Sequence, residues 1–71
     1  MIYVTDSGNN TIRQISPAGE VTTLAGSSGT SGNQDGMGSA AHFNGPSSLA
    51  IDPIGILYLS DVGNRSIRIV K

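Results

Sequence analysis

The chain has 71 residues, no cysteine and a formal net charge of −1. A chain of this size buries only about 60% of its unfolded surface, and without cysteine it has no disulfide framework or thiolate metal site. Charged residues make up 13% of the sequence, so no basic patch for nucleic acid is expected. No apolar run approaches the roughly 20 residues of a membrane span, and no signal peptide is visible. We therefore expect neither nucleic acid nor membrane as a partner, and expect oligomerisation or a larger parent protein to supply stability.

The first 25 residues predict three strands joined by two tight turns. Ile2–Asp6 alternates and is rich in β-branched and aromatic residues, which is typical of a strand. Ser7–Asn10 predicts a turn because Gly and Asn tolerate positive φ, and Thr11–Ile15 is the returning strand. In Ser16–Gly19, Pro presets φ and Gly accepts a left-handed conformation, so a second turn leads to a third strand over Glu20–Ala25.

A glycine-rich stretch, Gly26–Gly38, separates this half from the next. It cannot bury apolar surface, so we expect an exposed loop that is the most mobile segment of the chain. Ser39–Asn44 is expected to hold one helical turn, with Phe43 as an anchor into the core, and Pro46 ends it. The remaining predicted elements are a strand over Ser47–Ile51, a Pro/Gly turn over Asp52–Gly55, and strands over Ile56–Asp61 and Ser66–Val70.

The opening hairpin occurs a second time near the C-terminus. Residues 2–16 align with residues 57–71 without a gap, at an offset of 55 positions. Six of the fifteen pairs are identical and five more are conservative. Such a repeat indicates a blade of a β-propeller or a related array. The identical pairs are Tyr3/Tyr58, Asp6/Asp61, Gly8/Gly63, Asn9/Asn64, Ile12/Ile67 and Arg13/Arg68.

The predicted fold class is all-β, an antiparallel meander of six short strands. Apolar residues occur on both faces of the last strand, with Ile67 and Ile69 on one side and Val70 on the other. A sheet that is wet on one side would alternate cleanly between apolar and polar residues. Burial of both faces is therefore expected, as in a blade between neighbouring blades.

Three runs of sequence resemble the NHL repeat: VTTLAG at 21–26, DGMGSAAHFNGPSSLAID at 35–52 and ILYLSDVGNRSIRIV at 56–70. The resemblance covers nearly the whole chain and implies a β-propeller, commonly of six blades. With strands lettered a to d from the propeller axis outward, it implies that residues 1–25 supply strands b, c and d of one blade. Residues 26–46 would be the crossover loop, and residues 47–71 strands a, b and c of the next blade.

In this assignment each blade lacks one strand, and open strand edges invite pairing with another chain. We therefore expect a homo-oligomer formed by strand or blade complementation, with a protein ligand as a further candidate partner. The duplicated hairpin exceeds what a simple ring needs. Met1 stands directly before a strand, which suggests an excised or engineered piece of a propeller.

The residues singled out as candidates are assigned structural roles. Asp6 and Arg13 lie diagonally on one face of the first hairpin, and Asp61 and Arg68 repeat this arrangement. Each pair is expected to fix its turn or bridge neighbouring blades, with ligand binding as the alternative; an exposed pair contributes only about 0–1 kcal/mol. Phe43 and Pro46 complete the structural set. No residue is assigned a catalytic, cofactor-binding or metal-binding role.

Four weaker motifs are interpreted without a ligand. The sequons beginning at Asn9 and Asn64 occupy the same turn position of the repeat, which explains them without a glycan. Residues 36–41 match GxGxxA in letters, but no strand precedes them and no long helix follows. The series Ser31, Asn33, Asp35 and Gly36 echoes a calcium loop but has His42 where a glutamate is needed. That histidine has no second histidine or nucleophile beside it, so packing or capping is expected.

The sequence predicts a non-enzymatic propeller building block. The NHL resemblance implies protein-binding scaffolds, with RNA binding in some members, and the low charge argues against RNA. An alternative is a fragment of a six-bladed lactonase or lyase, but no cluster of carboxylate, Asn or His ligands is present. A third hypothesis is a designed or excised intermediate whose only activity is assembly.

Overall fold

A computed structural model of the chain describes residues 1–36 and 38–70, with the backbone alone at residue 39. Two three-stranded antiparallel sheets make up the fold, with strand order β1-β2-β3 in sheet 1 and β4-β5-β6 in sheet 2. This confirms the predicted all-β class. The strands are β1 (Ile2–Asp6), β2 (Thr11–Ile15), β3 (Val21–Gly26), β4 (Pro46–Ile51), β5 (Leu57–Asp61) and β6 (Ser66–Val70), with 3₁₀ turns at Gly38–Ala40 and Val62–Asn64.

The two repeated hairpins adopt the same register. Val4 pairs with Arg13 in the first hairpin, and Leu59 pairs with Arg68 in the second. The left-handed residue of the first turn is Asn10, with φ of 60°, and not Gly8. Its counterpart Arg65 has φ of 53°, although positive φ is uncommon outside glycine and asparagine. The repeat position therefore sets the turn conformation in both copies.

Four predicted strand boundaries shift by one residue, two because a turn takes the terminal residue and two because the strand extends further than predicted. Glu20 belongs to the second turn, since its N–H donates to Ser16 Oγ over 3.1 Å, and β3 runs on to Gly26. The predicted start at Ile56 is wrong because its N–H donates to Asp52 Oδ1 over 2.9 Å. Pro46 begins β4, one residue earlier than predicted, and pairs with Asp61 ahead of a bulge.

The turn at Asp52 is closed by its own carboxylate. Besides Ile56, the N–H of Ile54 donates to Asp52 Oδ1, and the Tyr58 hydroxyl donates to Asp52 Oδ2 over 2.9 Å. The Ile56 N–H is the main reason that the pKa of Asp52 lies below its ordinary value. The hydrogen bond that the Tyr58 hydroxyl donates to Asp52 raises the pKa of Tyr58. Both shifts favour the protonation states that keep the turn closed at neutral pH.

The core lies between the two sheets and under the crossover loop. Phe43 is its largest side chain, and the others that are buried there are Ile12, Ala25, Ala41, Leu57 and Leu59. Each sheet therefore buries one face. Ile67 and Ile69 are exposed on the side of β6 away from sheet 1, while Val70 packs on the core. Burial of both faces therefore stays a prediction for a blade with a neighbour on each side.

The helical element is shorter and earlier than predicted, a 3₁₀ turn at Gly38–Ala40 that precedes most of Ser39–Asn44. No helix in residues 1–36 and 38–70 is long and apolar enough to span a membrane. The Gly26–Gly38 loop is mostly exposed, as predicted. Its mobility, and the assignment of the sheets to strands b to d and a to c of two blades, stay predictions.

The second hairpin turn packs closely against the segment before β4. The Gly63 N–H donates to the Asn44 carbonyl over 2.8 Å. A Cβ at position 63 would lie 2.5 Å from Asn44 Cγ and 2.6 Å from Asn44 O. At the repeat-equivalent Gly8, a Cβ would have no neighbour within 4 Å. Neither glycine has positive φ, so only the surroundings distinguish them.

We expect Gly63→Ala to destabilise the chain by about 1–3 kcal/mol through overpacking. Gly8→Ala is the matched control and should change the free energy of unfolding by less than about 0.5 kcal/mol, because an exposed turn accommodates the methyl group. Urea unfolding followed by circular dichroism measures both values. Equal losses in the two variants would contradict the described packing.

Candidate functional site

The described chain concentrates its charged contacts at Arg68. This side chain is only 8% exposed and ion-pairs with Asp61 and Asp35. Its Nη1 donates to Asp61 Oδ2 and to the His42 carbonyl, both over 2.9 Å. Its Nη2 donates to the Gln34 carbonyl over 3.0 Å and to Asp35 Oδ1 over 2.8 Å. One guanidinium on β6 thus holds both ends of the loop segment 34–42.

Two further side chains of the second hairpin extend this contact. Asp61 is fully buried, and its Oδ1 accepts the Asn44 N–H over 2.8 Å. Asn64 Nδ2 donates to Asp61 Oδ2 and to the Gly32 carbonyl, each over 2.7 Å. We call Asp61, Asn64 and Arg68 the clamp, and residues 32–44 the clamped segment.

The clamped segment also folds on itself beneath the clamp. The Gly32 N–H donates to the Phe43 carbonyl over 3.1 Å, and the His42 N–H donates to the Gln34 carbonyl over 2.9 Å. The guanidinium carbon of Arg68 lies 5.0 Å from the centroid of the Phe43 ring, within the range of a cation–π contact. Phe43 is therefore held in the core by apolar packing and by the cation above it.

The first hairpin carries the same three residue types in different surroundings. The Arg13 and Asp6 side chains are each 32% exposed, and their closest N–O distance is 3.9 Å. Asn9 Nδ2 donates to Asp6 Oδ2 over 3.0 Å. Among the described residues no loop atom bonds to these three side chains, although the Gly29 N–H donates to the Asn9 backbone carbonyl over 3.1 Å. Arg13 Nε is buried without a hydrogen-bond partner in the described chain.

The predicted equivalence of the two Asp/Arg pairs therefore needs a correction. Asp6–Arg13 is a partly exposed pair, as the sequence suggested, and contributes about 0–1 kcal/mol. Asp61–Arg68 is buried and bonded to loop backbone. Removing one partner of such a pair costs about 3–5 kcal/mol because the other charge remains buried. Identical residues at identical repeat positions thus differ in burial and in their expected contribution to stability, because the loop covers only the Asp61–Arg68 pair.

A cleft of about 680 Å³ runs along β6. Because β6 is the last strand in the order of sheet 2, one of its edges is free within the described chain. The cleft lies between this strand and the β3 residues Leu24 and Ala25, and Asp35 and Phe43 also line it. It has the place and lining expected for a fourth strand.

The structure places the remaining candidates as follows. Pro46 is buried at the start of β4, and its carbonyl accepts a hydrogen bond from the Ser7 hydroxyl. Asn64, in the second sequon, points inward to the clamp, whereas Asn9 is exposed. His42 is half-buried, and its Nδ1 has no partner among the described residues. Its backbone carbonyl, and not its imidazole, joins the clamp.

The structure describes part of the GxGxxA match and the residues of the calcium-like series. The GxGxxA match contains Met37, which lies outside the described residues, and its neighbours Gly38–Ala40 form a three-residue 3₁₀ turn. In the calcium-like series, the Asp35 carboxylate accepts a hydrogen bond from Arg68. Residues 1–36 and 38–70 hold no group of three His, Asp or Glu side chains placed to share a metal ion.

Sequence reasoning missed the parts of the clamp that belong to the loop. Asn64 could have been identified, because Asn9 and Asn64 are identical repeat positions three residues after the paired aspartates. Asp35 and the carbonyls of Gly32, Gln34 and His42 carried no such signal. Backbone carbonyls exist at every residue, so only the folded path of the loop reveals which ones Arg68 reaches.

Comparison with known proteins gives a consistent family. The model of the family described as the Teneurin NHL domain matches residues 1–71. Teneurin-3 of Danio rerio is 33% identical over 85 residues, and Protein SUPPRESSOR OF QUENCHING 1, chloroplastic, of Arabidopsis thaliana is 40% identical over 70 residues. The alignments cover 100% and 97% of this chain but only 3% and 6% of those proteins. No solved structure matches the chain.

The two arginines give a matched test of the clamp. We expect Arg68→Ala to lower the free energy of unfolding by about 3–5 kcal/mol, because it leaves Asp61 buried and uncompensated. Arg13→Ala should cost less than about 1 kcal/mol. Urea unfolding monitored by circular dichroism provides both values.

A chain of this size has little stability to lose, so Arg68→Lys serves as a second variant. It keeps the positive charge but loses the planar fork that reaches two carbonyls and two carboxylates. Its stability should fall between those of the native chain and Arg68→Ala. Equal losses for the position-13 and position-68 alanine variants would show that the buried contacts of the clamp do not hold the loop.

Proposed function

The chain belongs to the teneurin NHL domain family, and from this premise we propose that it is a non-enzymatic building block of a β-propeller. It joins copies of itself through open strand edges, and the assembled surface serves as a scaffold for a protein partner. The observation that carries this proposal is the cleft along the free edge of β6.

The cleft offers both components of strand recognition. A free strand edge supplies backbone donors and acceptors, and the lining side chains supply specificity for alternate residues of the added strand. Leu24 and Ala25 form one wall, and Ile67 and Ile69 lie on β6 itself. A strand with alternating apolar residues fits this site better than a small polar ligand does.

The repeat identifies the strand that suits this edge. In sheet 1, β2 is followed by β3, with Ile12 opposite Ala25 and Arg13 opposite Thr23. Because β6 repeats β2, a β3 strand from a second copy would place its Ala25 opposite Ile67. Thr23 of that copy would lie opposite Arg68.

The carboxylates support a structural role over a catalytic one. Asp61 and Asp35 accept hydrogen bonds from Arg68, and Asp52 closes its own turn. Asp6 interacts with Asn9 and Arg13. A general base needs a lone pair directed at substrate, whereas each of these four carboxylates already accepts a hydrogen bond from the protein.

A protein is the partner that the surface suits. The net charge is −1 with four cationic residues in all, which is too few for the phosphate contacts that dominate nucleic-acid binding. Large apolar side chains are exposed on both sheets. Contiguous exposed apolar surface is characteristic of protein interfaces.

The probe that tests the open edge is a synthetic peptide with the sequence of residues 16–27, which contains β3. We expect it to bind the full chain and to shift the backbone amide resonances of Ser66–Val70 more than those of β2, since the β2 edge is already paired. Two-dimensional NMR titration with 15N-labelled chain measures this.

A peptide carrying both Thr22→Pro and Thr23→Pro is the matched control. Alternate residues of a strand donate to one neighbour, so two consecutive prolines remove a ladder donor whichever edge is used. The control should bind at least roughly tenfold more weakly, a loss of about 1.4 kcal/mol. Equal binding by both peptides, or shifts away from β6, would contradict strand addition at this edge.

A further inference from the structure

The contact between the two sheets joins two different faces of one repeated hairpin. On the β1–β2 hairpin, the face toward sheet 2 carries Ile12 and Tyr3. On the β5–β6 hairpin, the face toward sheet 1 carries the opposite set, with Leu57, Leu59 and Arg68. Because the hairpins are repeats, the outward face of each hairpin has the residue positions that form the inward contact face of the other.

The outward face of sheet 2 repeats a surface that is buried elsewhere in the same chain. Ile67 is 70% exposed, whereas its counterpart Ile12 is fully buried. Tyr58 is exposed, whereas its counterpart Tyr3 packs on the core. We call this the leading face, and it consists of Tyr58, Ser60, Ile67 and Ile69.

The outward face of sheet 1 shows the complementary pattern. Val4 is 40% exposed, and its counterpart Leu59 is 1% exposed. Ile2 is likewise exposed, and its counterpart Leu57 is buried. We call this the trailing face, and it consists of Ile2, Val4, Asp6, Arg13 and Ile15.

We propose that the leading face of one chain docks on the trailing face of a second copy, reproducing between chains the contact that joins the two sheets within one chain. The occupant is a second copy because one sequence carries both complementary surfaces, and the intrachain contact shows how they fit. This inference rests on the proposed function and specifies a face-to-face contact that is distinct from strand addition at β6.

The junction between chains lacks two parts of the contact within a chain: the clamped segment, and a counterpart of β4, whose Pro46 and Ser47 carbonyls accept hydrogen bonds from Ser7 and Thr5. Within the chain, the clamped segment covers Arg68 and accepts four of its hydrogen bonds together with Asp61. At the trailing face, Arg13 has only Asp6 and lacks a partner for Nε among the described residues. The contact between chains therefore buries the apolar side chains without the loop, and we expect it to be weaker and reversible.

The two faces are not the same patch, so the contact is heterologous. Such contacts propagate head to tail and yield a ring when the rotation closes, or a filament when it does not. Every chain would then use its leading face once and its trailing face once. This directionality distinguishes the proposal from a symmetric dimer, in which one patch meets itself.

The test blocks one face at a time in the full chain. Val4→Lys blocks the trailing face and Ile67→Lys the leading face, while Ile54→Lys on an exposed turn outside both faces is the control. By sedimentation velocity, each blocked variant alone should dissociate at roughly tenfold or higher concentration than the native chain, since one apolar contact is replaced by a charge. An equimolar mixture of the two blocked variants should form a heterodimer, because each retains the face that the other lacks.

Ile67 also lines the β6 cleft, so Tyr58→Lys provides a second leading-face variant that does not. Circular dichroism confirms that each variant folds before mixing. Self-association of Val4→Lys as strong as that of the native chain would overturn the proposal in favour of a symmetric contact or of strand addition at β6 alone. Failure of both mixtures to associate, while the native chain still binds the β3 peptide, would overturn the face-to-face contact and leave strand addition intact.

Discussion

The buried guanidinium of Arg68 is the interaction on which the rest of the structure depends. It satisfies Asp61 inside the protein and at the same time fixes the loop carbonyls of Gln34 and His42. Phe43, which follows His42 in the chain, is thereby placed in the core. The described residues contain no disulfide and no metal cluster, and this polar contact holds the crossover loop against sheet 2.

Two nearly identical hairpins show how far surroundings control the properties of a residue. Arg13 and Arg68 share strand position, register and aspartate partner, yet one is partly exposed and the other buried. Gly8 and Gly63 differ in the same way. The clamped segment covers the Asp/Arg pair of the second hairpin only, so the burial of a residue, its tolerance of substitution and its contribution to stability follow from the path of the loop and not from the local sequence.

The sequence predicts what depends on local pattern. Alternation, turn residues and the repeat are sufficient for six strands and for the pairing of Val4 with Arg13. They are insufficient for the burial of Asp61, because nothing in the hairpin distinguishes it from Asp6. They are also insufficient for the exposure of Ile67 and Ile69, since an apolar face indicates what it can bury but not whether a partner is present. The same exposed faces are the reason for expecting association between copies.

We expect the clamp to order the second half of a glycine-rich loop that composition alone marks as mobile. Amide hydrogen exchange of the native chain tests it directly at Gly32 and His42, whose N–H groups donate to loop carbonyls. The account predicts that these two amides exchange as slowly as those of the core strands, while neighbouring loop amides such as that of Ser28 exchange quickly. Exchange at Gly32 and His42 as fast as at Ser28 would contradict it, because an ordered loop held by Arg68 must protect them.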